Sequence, residues 1–251
     1  MLTKTEKTYF ETRGWIGPFP LLSTAEIAKL AEAHANSLDQ FLIGSEMPKL
    51  ASDSPLPKPW HKSLHAYLPE FRRLIQHPNL VERVASVLGP NVIAWGVSVT
   101  TRRPGQVHRW HVDVEHRRWR GISAFIGLTG TSPKSTLSVI AGSHLFDVMP
   151  QTLGVTDDFS ALAEAKKISR DSELVSVSLN EGEFFLFDGP LWHGSANVGN
   201  VTRLAVIAQF AAPTERVGVP LTCDEPIRWH SSIPPCVLVK GQDPQGLNHL
   251  V

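Results

Sequence analysis

The chain has 251 residues, enough to bury the core of one large domain, and its 42% hydrophobic and 19% charged residues are those of a globular protein. That balance excludes a disordered chain, a fibre and a disulfide-dense miniprotein. Twenty-four basic residues against 24 acidic ones cancel, so no global field recruits nucleic acid or an anionic membrane. Cys223 and Cys236 are too few for a disulfide framework or a Cys-rich zinc site. The start MLTKTEKTYFETRGW has no apolar signal segment, and no stretch nears the roughly 20 apolar residues that span a bilayer. A cytoplasmic protein with no membrane partner is expected.

In chain order, Ile27, Leu30 and Ala31 recur at helical spacing and predict a surface helix from Ser23 to about Ser37, with Ser23 or Thr24 as N-cap and Glu26 in the first turn. A second helical pattern covers Leu68–Leu88, broken near His77-Pro78 and stopped by Gly89-Pro90. Beyond Pro90 the period changes to two. Short β-rich runs follow at Val92–Thr101, Arg109–Val114, Gly121–Leu128, Thr136–Gly142, Glu173–Leu179, Glu183–Gly189, Arg203–Ala211 and Cys236–Gly241. With no repeat and no linker, residues 1–251 are expected to form a single domain, helical over 1–90 with a core at about 91–245. Short strands after a helical start predict a mainly β fold with flanking helices, a double-stranded β-helix of the jelly-roll, cupin-like kind. Residues 146–172 lack a strand pattern and contain the helix-like FSALAEAKK. This segment is a candidate lid that would bring Phe146 and Met149 to a substrate, or else a surface insertion.

The chemistry starts at RWHVDV. His111 and Asp113 stand two apart, so on a strand both side chains leave the same face within reach of one ion. His193, in FDGPLWHGSAN at the end of another strand, completes two imidazoles and one carboxylate, a facial triad suited to non-haem Fe(II) with coordination positions left open. Arg203 lies ten residues after His193, where a hairpin through Gly199-Asn200 would return its guanidinium towards the metal. With Ser195 it would clamp a carboxylate, the mark of a chelating diacid. Trp110 and Trp192 precede ligands and should point away from the metal into packing, while His108 and His116, three residues from the ligands, should point to the opposite face, at the surface or just behind the ligands, and bind no iron. His144 reads as a turn histidine bonded to backbone.

The segments YFETRGWIGPFPLLSTAEIAKL, LPEFRRLIQHPNLVERVASVLGPNV, RWHVDVE, LSVIAGSH and GEFFLFDGPLWHGSAN with Arg203 together resemble the phytanoyl-CoA dioxygenase family of Fe(II)- and 2-oxoglutarate-dependent oxygenases. The resemblance covers most of the chain. It implies that His111, Asp113 and His193 are the iron ligands, that Arg203 and Ser195 anchor the distal carboxylate of 2-oxoglutarate, and that O2 is consumed in hydroxylating an unactivated C–H bond of a small-molecule substrate. Several members place the anchoring arginine eleven residues after the distal histidine, so the interval of ten implies a tighter hairpin. Relatives also put a polar group from the preceding strand near the cosubstrate; the odd-numbered face offers Thr101. Asp113 stands where halogenating relatives carry a small residue, so halogenation is not expected. A cupin-like metal enzyme without 2-oxoglutarate and a non-catalytic binding module on the same fold are the alternatives.

Between Arg102 and Arg120 the chain carries six arginines, at 102, 103, 109, 117, 118 and 120. Arg109 shares the parity of the ligands, and Arg117 with Trp119 lies on the loop just beyond. One or two of these arginines would hold an anionic group of the substrate; the alternative is a solvated basic surface.

Overall fold

The computed structural model describes residues 1–41, 62–113, 119–218 and 233–251, with backbone alone at 38–41. Helix α1 (Lys4–Arg13) opens the chain, a helix the apolar spacing does not announce. Its ends are polar signals instead: Thr3 and Glu6 cap it reciprocally, and Gly14 closes it with φ +78. Strand β1 (Trp15–Pro20) follows, then α2 (Thr24–Phe41), whose N-cap is Ser23: its hydroxyl accepts from the Glu26 amide while the Glu26 carboxylate accepts from the Ser23 amide. The second helical pattern resolves into α3 (Leu64–Tyr67), α4 (Pro69–Ile75) and α5 (Pro78–Leu88), with His77 capping α5 and the break where Pro78 requires it.

The remaining strands are β2 (Val92–Arg102), β3 (Val107–His111), β4 (Gly121–Gly127), β5 (Leu137–Ala141), β6 (Glu173–Ser176), β7 (Glu183–Asp188), β8 (His193–Ala196), β9 (Arg203–Ala211) and β10 (Val237–Lys240), with α6 (Asp158–Ile168) between β5 and β6. They form a six-stranded sheet, β1-β7-β4-β9-β2-β10, and a four-stranded sheet, β3-β8-β5-β6, antiparallel throughout their ladders. This is the expected jelly roll with flanking helices.

Alternation sorts the side chains into layers. On the large sheet, Ile122, Ala124, Ile126, Val206, Ala208 and Phe210 face the helices and meet Phe71, Ile75, Leu80 and Val84. On the other face, Phe125, Phe185, Phe187 and Ala205 pack against Leu137, Val139 and Ala141 of the small sheet. The back of the small sheet presents Trp110, Ile140 and Trp192, which Ala161 and Ala165 of α6 cover.

That last layer corrects the lid expectation. Phe146 and Met149 are partly buried in the same cluster, with Phe146 edge-on to Trp192 at 5.5 Å, so the segment closes the outer face of the small sheet, away from the triad. The indoles at positions 110 and 192 need a cover, and α6 supplies it. The hairpin expectation also fails. His193 does not end the preceding strand: it begins β8, in the small sheet, whereas Arg203 begins β9, in the large one. The Gly199-Asn200 connection is a crossing between sheets. Asn197 fixes it, donating to the carbonyls of Arg102 and Val201 at 2.9 and 2.8 Å.

Candidate active site

β3 and β8 pair with His111 opposite His193 and His108 opposite Ser195, three residues against two. That bulge decides the parity of the strand. Trp110 goes outward, its indole flat beneath Gly194, where an added Cβ would stand 3.2 Å from the ring. His111 and His193 turn inward, with ring centroids 4.2 Å apart. Asp113 lies two residues beyond the end of β3 and still reaches the same point: its Oδ1 is 4.0 Å from Nε2 of each histidine.

Both imidazoles are oriented from behind. Nδ1 of His111 donates to the Arg109 carbonyl at 2.7 Å, and Nδ1 of His193 donates to that of Leu191 at 2.9 Å, since a carbonyl can only accept. Each Nε2 lone pair is thereby directed at the space shared with Asp113. Burial, reinforced by His193, lowers the His111 pKa to about 4, so the ring is neutral at physiological pH and able to ligate. Asp113 Oδ2 accepts from Ser123 on β4 at 3.0 Å and from Gln209 on β9 at 3.1 Å. Gly96 makes room for that amide: a Cβ there would stand 2.7 Å from Gln209 Oε1. Val112, between the two ligands of the motif, is gripped through both backbone groups by the Gln151 side chain, at 3.1 and 3.2 Å. One donor atom from each of His111, Asp113 and His193 lies within 4.8 Å of the others, and two imidazoles with a carboxylate fit a divalent iron.

Arg203 is 1% exposed, its guanidinium over the Phe125 ring at 5.2 Å. Among the described residues its hydrogen bond is from Nη1 to the Ser135 carbonyl, at 2.6 Å; Nε is buried without a partner, and no described carboxylate pairs with it. Burial, then the like charge of Arg102, lower its pKa to about 10, which still leaves it charged at neutral pH. A buried cation without an anion is costly, so this guanidinium fits a carboxylate ligand. Ser195 is buried and opposite Leu137 and His108 in the small sheet.

The other expected site residues fall differently. Thr101 is exposed and pairs with Leu204, on the helix side; a bulge between Ala94 and Gly96 shifts parity, so the inward face of β2 carries Ser98, Thr100 and Arg102. Arg109 is exposed, because the β3 bulge removes the parity it was given. The same bulge turns His108 to the ligand side, its ring edge-on to His111 at 4.5 Å. Trp119 is buried edge-on against Trp95 at 5.6 Å. Arg117, His116 and Cys223 lie outside the described residues. His144 bonds the Glu11 carbonyl, as expected, and Cys236 is an ordinary buried thiol. A surface depression of about 340 Å³ between α2 and α4, lined by Lys29, Glu32, Asn36 and Glu70, contains none of the triad.

Ser123, Gln209 and Gln151 were missed by sequence reasoning, and His108 was assigned to the wrong face. Ser123 and Gln209 had a signal, being lone polar residues inside the apolar runs GISAFIG and RLAVIAQFA.

The family description "Phytanoyl-CoA dioxygenase (PhyH)" matches residues 10–205. The chain belongs to the phytanoyl-CoA dioxygenase family. It is an Fe(II)- and 2-oxoglutarate-dependent oxygenase, with O2 as co-substrate. No curated protein sequence matches it. Among solved structures, the non-heme monooxygenase ThoJ in complex with nickel is similar at 21% identity and TM-score 0.66, over 98% of this chain and 86% of that one. CytC3 with Fe(II) and α-ketoglutarate is similar at 17% identity and TM-score 0.68, over 100% and 93%. EctD from S. alaskensis, with 2-oxoglutarate and 5-hydroxyectoine, is similar at 21% identity and TM-score 0.66, over 100% and 88%. These likenesses are of the fold. Among the described residues, no helix is long and apolar enough to cross a membrane.

Proposed function

We propose that His111, Asp113 and His193 hold the iron of this oxygenase, that Arg203 together with Ser195 anchors the distal carboxylate of 2-oxoglutarate, and that the enzyme hydroxylates an unactivated C–H bond of a small metabolite or natural-product intermediate within a single domain. The observation that carries the reading is Arg203, a buried guanidinium with no carboxylate of its own among the described residues. Iron with 2-oxoglutarate and O2 supplies the oxidising power, one oxygen atom entering the C–H bond while 2-oxoglutarate leaves as succinate and CO2.

The chain's own residues do the rest. Backbone carbonyls fix the rings of His111 and His193 with Nε2 of each towards the shared space, while Ser123 and Gln209 hold the Asp113 carboxylate in one orientation. The packed aromatic layer of Phe125, Phe185 and Phe187 keeps water from the inner face, which strengthens the grip of Arg203 on an anion. The substrate is proposed to carry an anionic group, held by one or two of the arginines between Arg102 and Arg120; the local excess of six arginines in that segment supports this. The cytoplasm is proposed as the place of action, and the free, buried thiol of Cys236 is compatible with a reducing compartment.

The test is succinate formation by the purified protein with Fe(II) and 2-oxoglutarate, screened against acidic and neutral metabolites. An acidic metabolite should stimulate turnover, and Arg203→Ala should raise the 2-oxoglutarate requirement by about 30-fold or more, because a charge-assisted bidentate contact is lost. Arg203→Lys should recover part of it. An unchanged requirement in Arg203→Ala would contradict the anchor, and a preference for neutral substrates would contradict the anionic class.

A further inference from the structure

Of the six arginines between Arg102 and Arg120, Arg102 is turned into the protein. On β2, Gly96, Ser98, Thr100 and Arg102 pair with Gln209, Ile207, Ala205 and Arg203 of β9, and residues directly opposite share a face. Gln209 of this row reaches Asp113, so the face is the one that carries the site. Arg102 therefore stands opposite Arg203, at the point where both chains cross between the sheets. Two like charges directly opposite destabilise a strand pair unless an anion lies between them.

Neither guanidinium has such an anion in the described chain. Arg102 donates from Nη1 to the Thr101 carbonyl at 2.8 Å and from Nη2 to Nδ1 of His108, and its buried Nε has no partner among the described residues. The Arg203 Nε is likewise buried, without a partner among the described residues. His108, accepting at Nδ1, holds Arg102 on one side and sets its ring against His111 on the other. The Asn197 amide pins the Arg102 carbonyl to the β8–β9 crossing. The site thus has two ends: the triad, and a pair of guanidinium groups joined to it through His108.

We infer that Arg102 is a second cationic anchor for the distal carboxylate of 2-oxoglutarate, acting with Arg203 and oriented by His108. The inference rests on the reading of Arg203 given above. A carboxylate has two oxygens, each able to take a charge-assisted bond, so opposed guanidinium groups can share it, and the added charge selects cosubstrates that carry a distal carboxylate.

The test is anaerobic titration of the Fe(II)-loaded protein with 2-oxoglutarate, and in parallel with 2-oxobutyrate, which keeps the keto acid but lacks the distal carboxylate. Binding is followed by the charge-transfer absorption and by calorimetry, without turnover. Arg102→Gln should weaken 2-oxoglutarate by about tenfold, the loss of one charge-assisted contact, and leave 2-oxobutyrate unchanged. Arg203→Gln should weaken it further. Arg102→Lys, which keeps the charge and serves if the glutamine variant fails to fold, should stay within a few-fold of the native chain. If Arg203→Gln loses 2-oxoglutarate while Arg102→Gln binds it like the native chain, the second anchor is wrong and the first stands. Equal weakening of both keto acids in Arg102→Gln also overturns the inference. Native affinity in both variants would overturn the reading of Arg203 as well.

Discussion

On the carboxylate of Asp113, Oδ2 accepts from Ser123 and Gln209, so Oδ1 is the oxygen turned to the two imidazoles. Groups of this kind hold a ligand in place before the metal arrives, and losing one costs metal affinity by about 10- to 100-fold. Gln209→Leu and Ser123→Ala should each weaken Fe(II) by that order in an anaerobic competition titration while the fold persists; affinities equal to the native chain would show that these bonds do not prepare Asp113. At this scale the sequence was readable where chemistry is local. His111, Asp113 and His193 were named from type and spacing, and they meet. Arg109, Thr101 and His108 were misplaced because each placement assumed unbroken alternation, and a one-residue bulge in β2 or β3 turns the side chains beyond it to the other face. No residue in either strand announces its bulge.

At the scale of elements, α3 shows what buried polar groups demand. His65 is completely buried, its Nε2 donating to the Pro235 carbonyl at 2.9 Å, while Nδ1 has no hydrogen-bond partner among the described residues. A second proton on Nδ1 would have no acceptor, and burial lowers the pKa from 6.5 to about 4. The sign follows from linkage: the unfolded chain takes up the proton first as the pH falls, so the contribution of neutral His65 is complete above pH 6.5 and is lost between 6.5 and about 4. The loss amounts to roughly 3 kcal/mol over that window. Urea midpoints measured across it should fall less steeply for His65→Gln than for the native chain, and identical slopes would contradict the assignment. Helices α2 and α5 were legible because caps, Pro78 and Gly89 are local signals. The role of residues 146–172 was not, since FSALAEAKK says that a helix forms and leaves open whether Ala161 and Ala165 cover a mouth or the backs of Trp110 and Trp192.

Across the whole molecule, the site exists because two sheets meet. The small sheet carries His111 and His193, the large one carries Ser123, Gln209 and Arg203, and the crossings at Arg102 and Asn197 join them at one end. The period of two from Pro90 onward was enough to name this architecture, but which strands share a sheet is set by pairing across the chain, which is why β8 and β9 read as a hairpin and are not one. In the proposed site, one inner face holds the iron at one end and the diacid at the other. A crystal structure of the anaerobic complex with Fe(II) and 2-oxoglutarate tests it most directly. The expected result is iron bound by Nε2 of His111, Oδ1 of Asp113 and Nε2 of His193, with the distal carboxylate of 2-oxoglutarate on the Arg203 guanidinium. Iron held by any other residues, or a distal carboxylate bound away from Arg203, would contradict it.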